Sequence, residues 1–279
     1  VHRIVIGFLA VVLSSLSAFA QVSTQQPSQG TATQTATKDS QAVSVLNQAL
    51  RAAGGTAAIK AVADYTAVGN ITYHLHNDHD VQGAVQVLGG PMGQVRIDST
   101  LPSGTRSWAI DQGLATKKAE DGTVSKPPTG PIPSSDVLPY RAPRFPNSIA
   151  FPYKQLLTVL NSSAFNLSYN GLVQLDGHSV HDIAAQPGSL GPVSSPSRLA
   201  KPNALDFFID ASTLQLVMVQ DIATKGTVHQ VRYSNYTAAN GLLVPFSIED
   251  QLGTQSTWTI QLAQITFNSG LQDSAFVIQ

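Results

Sequence analysis

Six consecutive residues, His74-Leu75-His76-Asn77-Asp78-His79, concentrate side chains that can hold a metal. Imidazoles at positions i and i+2 of a strand share one face and can bind one zinc ion, and an aspartate and a histidine just beyond can hold a second that activates water. A zinc-dependent hydrolase would use His74, His76, Asp78 and His79. It would also need later ligands at strand ends, for which His178, His181 and His229 remain, all in amphipathic strand patterns. His178 and His181 are three apart and so fall on opposite faces of a strand. Val81–Leu88, after the motif, alternates apolar and polar residues with period two, so the motif reads as a polar hairpin tip. There His74 and His76 face away from Tyr73 and Leu75, and His79 sits in the turn. Adventitious metal binding at that tip lies between these two readings.

Other chemistries lack their residues. The chain has no cysteine, which removes disulfides, thiol catalysis and cysteine–zinc sites together. Glu120 and Glu249 are its only glutamates, so paired-glutamate acid–base chemistry is disfavoured. There is no G-x-S-x-G elbow, no phosphate-binding glycine loop and no H-E-x-x-H. Asp206 and Asp210 flank an apolar strand and read as turn residues at its ends. The expectation is a protein without enzymatic activity, cofactor or metal.

The elements that would position any site begin with a helix. Asp39 or Ser40 can cap it, Val43, Leu46, Leu50 and Ala53 form its apolar stripe, and Gly54-Gly55 stop it. Thr56–Ala63 is a second short helix. From Tyr65 the period becomes two, with Tyr65, Ala67, Gly69, Ile71, Tyr73 and Leu75 on one face. Strands around Val81–Val87, Val95–Ile97 and Trp108–Ile110 continue an antiparallel meander, with turns at Asp111-Gln112-Gly113 and Asp121-Gly122. Lys126–Pro152 carries half of the 16 prolines and reads as a long loop, suited to a lid or a partner-facing surface. A further helix over Tyr153–Leu160 puts Tyr153, Leu156, Leu157 and Leu160 on one face. Strands resume at Phe165–Tyr169, turn at Asp176-Gly177, and continue after a Pro/Ser loop from Gln186 to Asn203 with Leu205–Ile209, Leu214–Val219, Val228–Tyr236, Leu242–Ile248 and Thr257–Phe267. About ten strands, two or three helices and no βαβ alternation predict an antiparallel α+β fold.

The N-terminal residues predict export. His2-Arg3, the apolar run Ile4–Leu13 and the small residues before Ala18-Phe19-Ala20 have the three-part anatomy of a signal peptide cleaved after Ala20. The apolar run is shorter than the roughly 20 residues of a spanning helix. No cysteine follows it to carry a lipid, and Val1 reads as an alternative bacterial start. Residues 21–38 are almost all Gln, Ser, Thr, Ala and Gly, a composition that cannot offset its own ordering entropy, and form a disordered polar linker. Residues 39–279 are then one domain. With 16 basic and 17 acidic residues and no basic cluster, nucleic acid is excluded as a partner.

Two resemblances bear on function. The His74–His79 motif is similar to the metal motif of the metallo-β-lactamase superfamily, whose fold has a helix where Val81–Leu88 alternates. The closing third resembles the C-terminal meander of LolA/LolB-like proteins, a superfamily of lipoprotein carriers and related periplasmic sensors. The shared features are Asp206-Phe207-Phe208-Ile209-Asp210 before Thr213-Leu214, Tyr233-Ser234-Asn235-Tyr236, Gly241-Leu242-Leu243-Val244-Pro245, and a last long strand followed by Asp273 and Phe276. The resemblance implies a strongly curved, incompletely closed antiparallel barrel over helices, with an apolar concavity for acyl chains. Trp108, Phe207, Phe246 and Trp258 are the expected lining, with a lipid or lipoprotein acyl chain as partner in the periplasm or outside the cell. The remaining reading is an envelope interaction module that docks a protein through residues 126–152.

Overall fold

The structure, a computed structural model, describes residues 36–75, 79–111, 114–126, 149–188, 204–222 and 227–279. The segment expected to be a signal peptide, residues 21–35 of the expected linker, His76, Asp78 and most of both Pro-rich segments lie outside the described residues. The Asp39 carboxylate caps the first helix by accepting the Ala42 amide at 2.8 Å. Helix α1 (Ser40–Ala52) ends where Gly54 and Gly55 take positive φ values of 116° and 94°, and α2 (Thr56–Ala61) follows. The buried stripe of α1 is Ala42, Val45, Leu46, Ala49 and Leu50. Val43 turns out half-buried at its margin, because 3.6 residues per turn favours 42, 45, 46 and 49 over the expected 43.

Among the described residues thirteen strands form one antiparallel, curved, unclosed sheet, three more than the spacing of apolar runs suggested. The first meander runs through β1 (Tyr65–Leu75), β2 (His79–Gly89), β3 (Val95–Leu101), β4 (Gly104–Asp111), β5 (Leu114–Lys118) and β6 (Val124–Ser125). After α3 (Tyr153–Asn161) come β7 (Phe165–Leu175), β8 (His178–Pro187), β9 (Leu205–Asp210), β10 (Leu216–Ile222), β11 (Val228–Ala239), β12 (Leu242–Leu252) and β13 (Gln255–Phe267). Except for β6 and β7, strands adjacent in sequence pair with each other, and β1 pairs with β13 in the middle. The edges are therefore mid-chain strands, β6 and β7. Strand β6 has only two residues, and on β7 Leu167 exchanges backbone hydrogen bonds with Thr37 and Asp39 at 2.9 and 3.0 Å. A short edge and a covered edge both limit pairing with other chains.

Two features hold the β1–β13 seam. At Gly69 the register slips by one residue, and a Cβ there would lie 2.1 Å from the Gln261 carbonyl oxygen, so only glycine allows this approach. Below it the Asp64 carboxylate accepts the Ser269 amide at 2.7 Å, the Ser269 hydroxyl at 2.8 Å and the Gly270 amide at 3.1 Å. Burial alone would raise the Asp64 pKa, but these bonds hold it below the usual carboxylate range.

The helices pack against each other and against β7, and Leu46, Leu50, Tyr153, Leu156, Phe207 and Ile209 join one apolar core with the inner face of the sheet. The end of the segment read as a loop belongs to this core. Ile149, Ala150 and Phe151 are buried, and the Phe151 ring lies 5.0 Å from Phe267 and 6.2 Å from Tyr153. Three consecutive apolar residues outweigh the surrounding proline bias once a sheet is present to receive them. Gln186 and Pro187, assigned to a loop, instead extend β8 opposite Asn166 and Phe165. On the outer face of β3, Arg96 donates to the Ala275 and Val277 carbonyls at 3.1 Å, and Phe276 and Ile278 are buried there. No helix among the described residues is long and apolar enough to cross a membrane.

Candidate functional site

The inner face leaves a cavity of about 600 Å³. Its apolar wall comprises Ile71 and Tyr73 of β1, Ile97 of β3, Trp108 of β4, Val231 of β11 and Trp258 of β13, with Ile149 from the segment before α3. Register explains why these residues converge, because directly opposed residues in an antiparallel sheet share a face. Tyr73 stands opposite Trp258, Trp258 opposite Asp250, and Asp250 opposite Val231. On the other side Ile97 stands opposite Trp108, and Trp108 opposite Lys117. Among the described residues, none of α1, α2 or α3 lines the space.

Of the aromatic residues expected to line a concavity, the structure brings Trp108 and Trp258 to this cavity. Phe207 is fully buried in the core, and Phe246 is half-buried against it, so neither is among the lining residues. Phe207 does face the core, but β9 lies on the side of the sheet that also carries β7 and its helices.

Polar groups cluster at two places on the wall. On β4, Arg106 shares the inward face with Trp108 and stacks over the Tyr73 ring, its guanidinium carbon 4.5 Å from the ring centroid. Arg106 Nη2 also donates to Glu120 Oε1 at 2.6 Å, and the Tyr73 hydroxyl and Ser99 Oγ lie 2.9 Å apart. Facing them, His229 lies between two carboxylates, with Nδ1 3.1 Å from Asp221 Oδ1 and Nε2 2.7 Å from Asp250 Oδ2. The Asp221 side chain is 0% exposed and those of His229 and Asp250 are 14% and 15% exposed. Because both ring nitrogens meet acceptors, both must donate, which requires an imidazolium. Burial opposes that charge, but the hydrogen bonds to Asp221 and Asp250 win and raise the His229 pKa to about 9. Asp221 and His229 are a direct cross-strand pair, and Asp250 is one diagonal step away. A register slip after Asp250 leaves Thr257 as the extra residue, and its hydroxyl donates to the Asp250 carboxylate.

The histidine motif has a different setting. His74 uses one ring nitrogen on Asp80 and the other on Thr259, each at 3.0 Å. His79 is exposed and, contrary to expectation, is the first residue of β2, opposite Leu75, because the β1–β2 pairing runs to the end of both strands. For the same reason Leu75 stands at the rim, 47% exposed, instead of continuing the buried face. A strand follows the motif where the metallo-β-lactamase arrangement has a helix. Among the described residues no group of three ligating side chains could hold a metal ion. Asp210 caps the turn after β9: burial would raise its pKa, but bonds from Ser212 and Thr213 hold it at about 2. His181 pairs with the Tyr169 hydroxyl at 2.9 Å, away from His178.

Of these residues the sequence offers only His229, as a candidate metal ligand; Arg106, Lys117, Asp221 and Asp250 stand outside its motifs. Arg106 carried a signal, two positions before Trp108 on one strand, whereas the carboxylate–imidazolium group depends on the register of three strands.

No family model matches this chain, and no curated protein matches it in sequence. Solved structures do match. A DUF1329 family protein from Desulfovibrio piger aligns with 85% of this chain and 97% of its own, at 10% identity and a TM-score of 0.53. A LolA superfamily protein from Nitrosomonas europaea aligns with 85% and 98%, at 10% identity and a TM-score of 0.51. At this identity the similarity is one of architecture, and it agrees with the open curved sheet over helices: the chain has a LolA-like fold.

Proposed function

We propose that this protein is an exported, non-enzymatic binder of an amphiphilic ligand, a lipid, acyl chain or lipoprotein, held in the cavity between β3–β5 and β11–β13. The observation that carries the reading is the cavity itself, about 600 Å³ and walled by Ile71, Ile97, Trp108, Ile149, Val231 and Trp258. That size falls within the roughly 300–1,000 Å³ usual for small-molecule sites. Each buried methylene contributes about 0.8 kcal/mol, so a chain of several methylenes gains measurable affinity from burial alone.

The chain has two tryptophans, and both line this cavity. Intrinsic tryptophan fluorescence therefore reports on the site without labelling. A brominated fatty acid at micromolar protein is expected to quench most of the emission, and Trp258→Ala to weaken binding about tenfold by removing one aromatic wall. Unchanged emission at saturating ligand would overturn the proposal.

Export rests on the N-terminal pattern from Ile4 to Ala20. The mature protein is expected to begin at Gln21. Intact mass of the exported form checks this, and retention of Ile4–Leu13 would count against it.

A further inference from the structure

We infer that the ligand carries an anionic head group, a carboxylate or a phosphate, seated against Arg106 and Lys117 at the β4–β5 side of the cavity. This rests on the reading of the cavity as an acyl-chain site and adds the chemistry of the polar end. Lys117 stands directly opposite Trp108 on the inward face, and Arg106 precedes Trp108 by two residues on that same face. Both cations thus border the aromatic wall, where a chain buried against Trp108 would place its head.

The two cations differ in how they are held. Arg106 is fixed, stacked on Tyr73 and bonded to Glu120, which leaves further donors of its five-donor fork for an incoming oxyanion. Lys117 is exposed and has no ion pair among the described residues. Lys118, next along β5 and opposite Ser107, also borders the cavity, but its ammonium is held by the Gln279 carbonyl at 3.3 Å. The charge of the cavity is asymmetric. The lining from β11 and β12 instead carries His229 and Asp250, with the buried Asp221 bonded to the same imidazole, so two carboxylates meet one imidazolium. That wall repels an anion while the β4–β5 wall attracts it, which orients an amphiphile head-first toward Lys117.

The test compares three ligands of equal chain length, a brominated fatty acid, its methyl ester and a monoacyl phosphate, by tryptophan quenching in the wild type and in Lys117→Gln. The substitution is at an exposed position, and thermal melting verifies that the fold is intact. The expected result is that at least one anion binds about tenfold more tightly than the ester, and that the gap narrows severalfold in Lys117→Gln while the ester is unaffected. Whichever anion binds more tightly identifies the head as carboxylate or phosphate. Equal binding of all three ligands, or a gap unchanged by Lys117→Gln, overturns the head-group assignment and leaves the acyl-chain reading intact. Failure of all three to bind overturns the acyl-chain reading itself.

Discussion

His229→Ala is expected to destabilise the protein by about 3–5 kcal/mol at neutral pH, because it leaves the buried Asp221 and Asp250 carboxylates without the cation between them. Chemical denaturation read by far-ultraviolet circular dichroism measures this. The wild type carries a matching pH signature. The folded His229 pKa, about 9, lies above the ordinary value of 6.5, so the folded state binds the proton more tightly. That stabilisation is fully present below pH 6.5 and is lost as the pH rises through about 9, on the order of 3 kcal/mol in total. In His229→Ala this alkaline loss should disappear. A variant as stable as the wild type, or one with the same alkaline loss, would show that the imidazolium is not what holds β10, β11 and β12 in register at this point.

Phe151→Ala is expected to cost a similar amount, about 3–5 kcal/mol, by emptying a fully buried ring site. Its ring contacts, Phe267 at the end of β13 and Tyr153 at the start of α3, tie the segment before α3 to the middle of the sheet. Two residues earlier, Ile149 forms part of the cavity wall. The substitution should therefore loosen Ile149 and weaken acyl-chain binding as well as stability. Phe207→Ala offers the contrast: an equally buried ring away from the lining, whose loss should lower stability and leave binding by the folded fraction unchanged. If Phe151→Ala and Phe207→Ala affect binding alike, the segment before α3 is not a wall of the site.

The strands were legible because most have one buried face. Tyr65, Ala67 and Ile71 alternate cleanly, and the helices over 40–52 and 153–161 carry caps or apolar stripes that local chemistry dictates. What escaped had no local signal. Two residues, Val124 and Ser125, are too few to show a period, yet they make a strand. Ile149–Phe151 sits among prolines, and only the presence of Phe267 and Tyr153 makes it core. Alternation tells neither which face of the strands of Phe207 and Trp258 looks inward nor which part of the inner face the helices fill. The LolA-like architecture was recognisable from the resemblance of Asp206–Asp210, Tyr233–Tyr236 and Gly241–Pro245 to that family's closing meander, while the carboxylate–imidazolium group needed the pairing of β10, β11 and β12.

The seam between β1 and β13 also dictates an order of events during folding. Every other strand pair joins neighbours in sequence, so each meander closes short loops as it forms. At the seam His74 and Thr259, 185 positions apart, bond across the sheet. In a chain synthesised or translocated from its N-terminus, β1 is among the first strands to emerge, and its final neighbour is the last. Until β13 arrives, the future centre of the sheet is an open edge, able to template pairing with another chain. The vulnerable interval is therefore set by how long the remaining chain takes to appear, and a carboxy-terminal truncation within β13 would make that interval permanent.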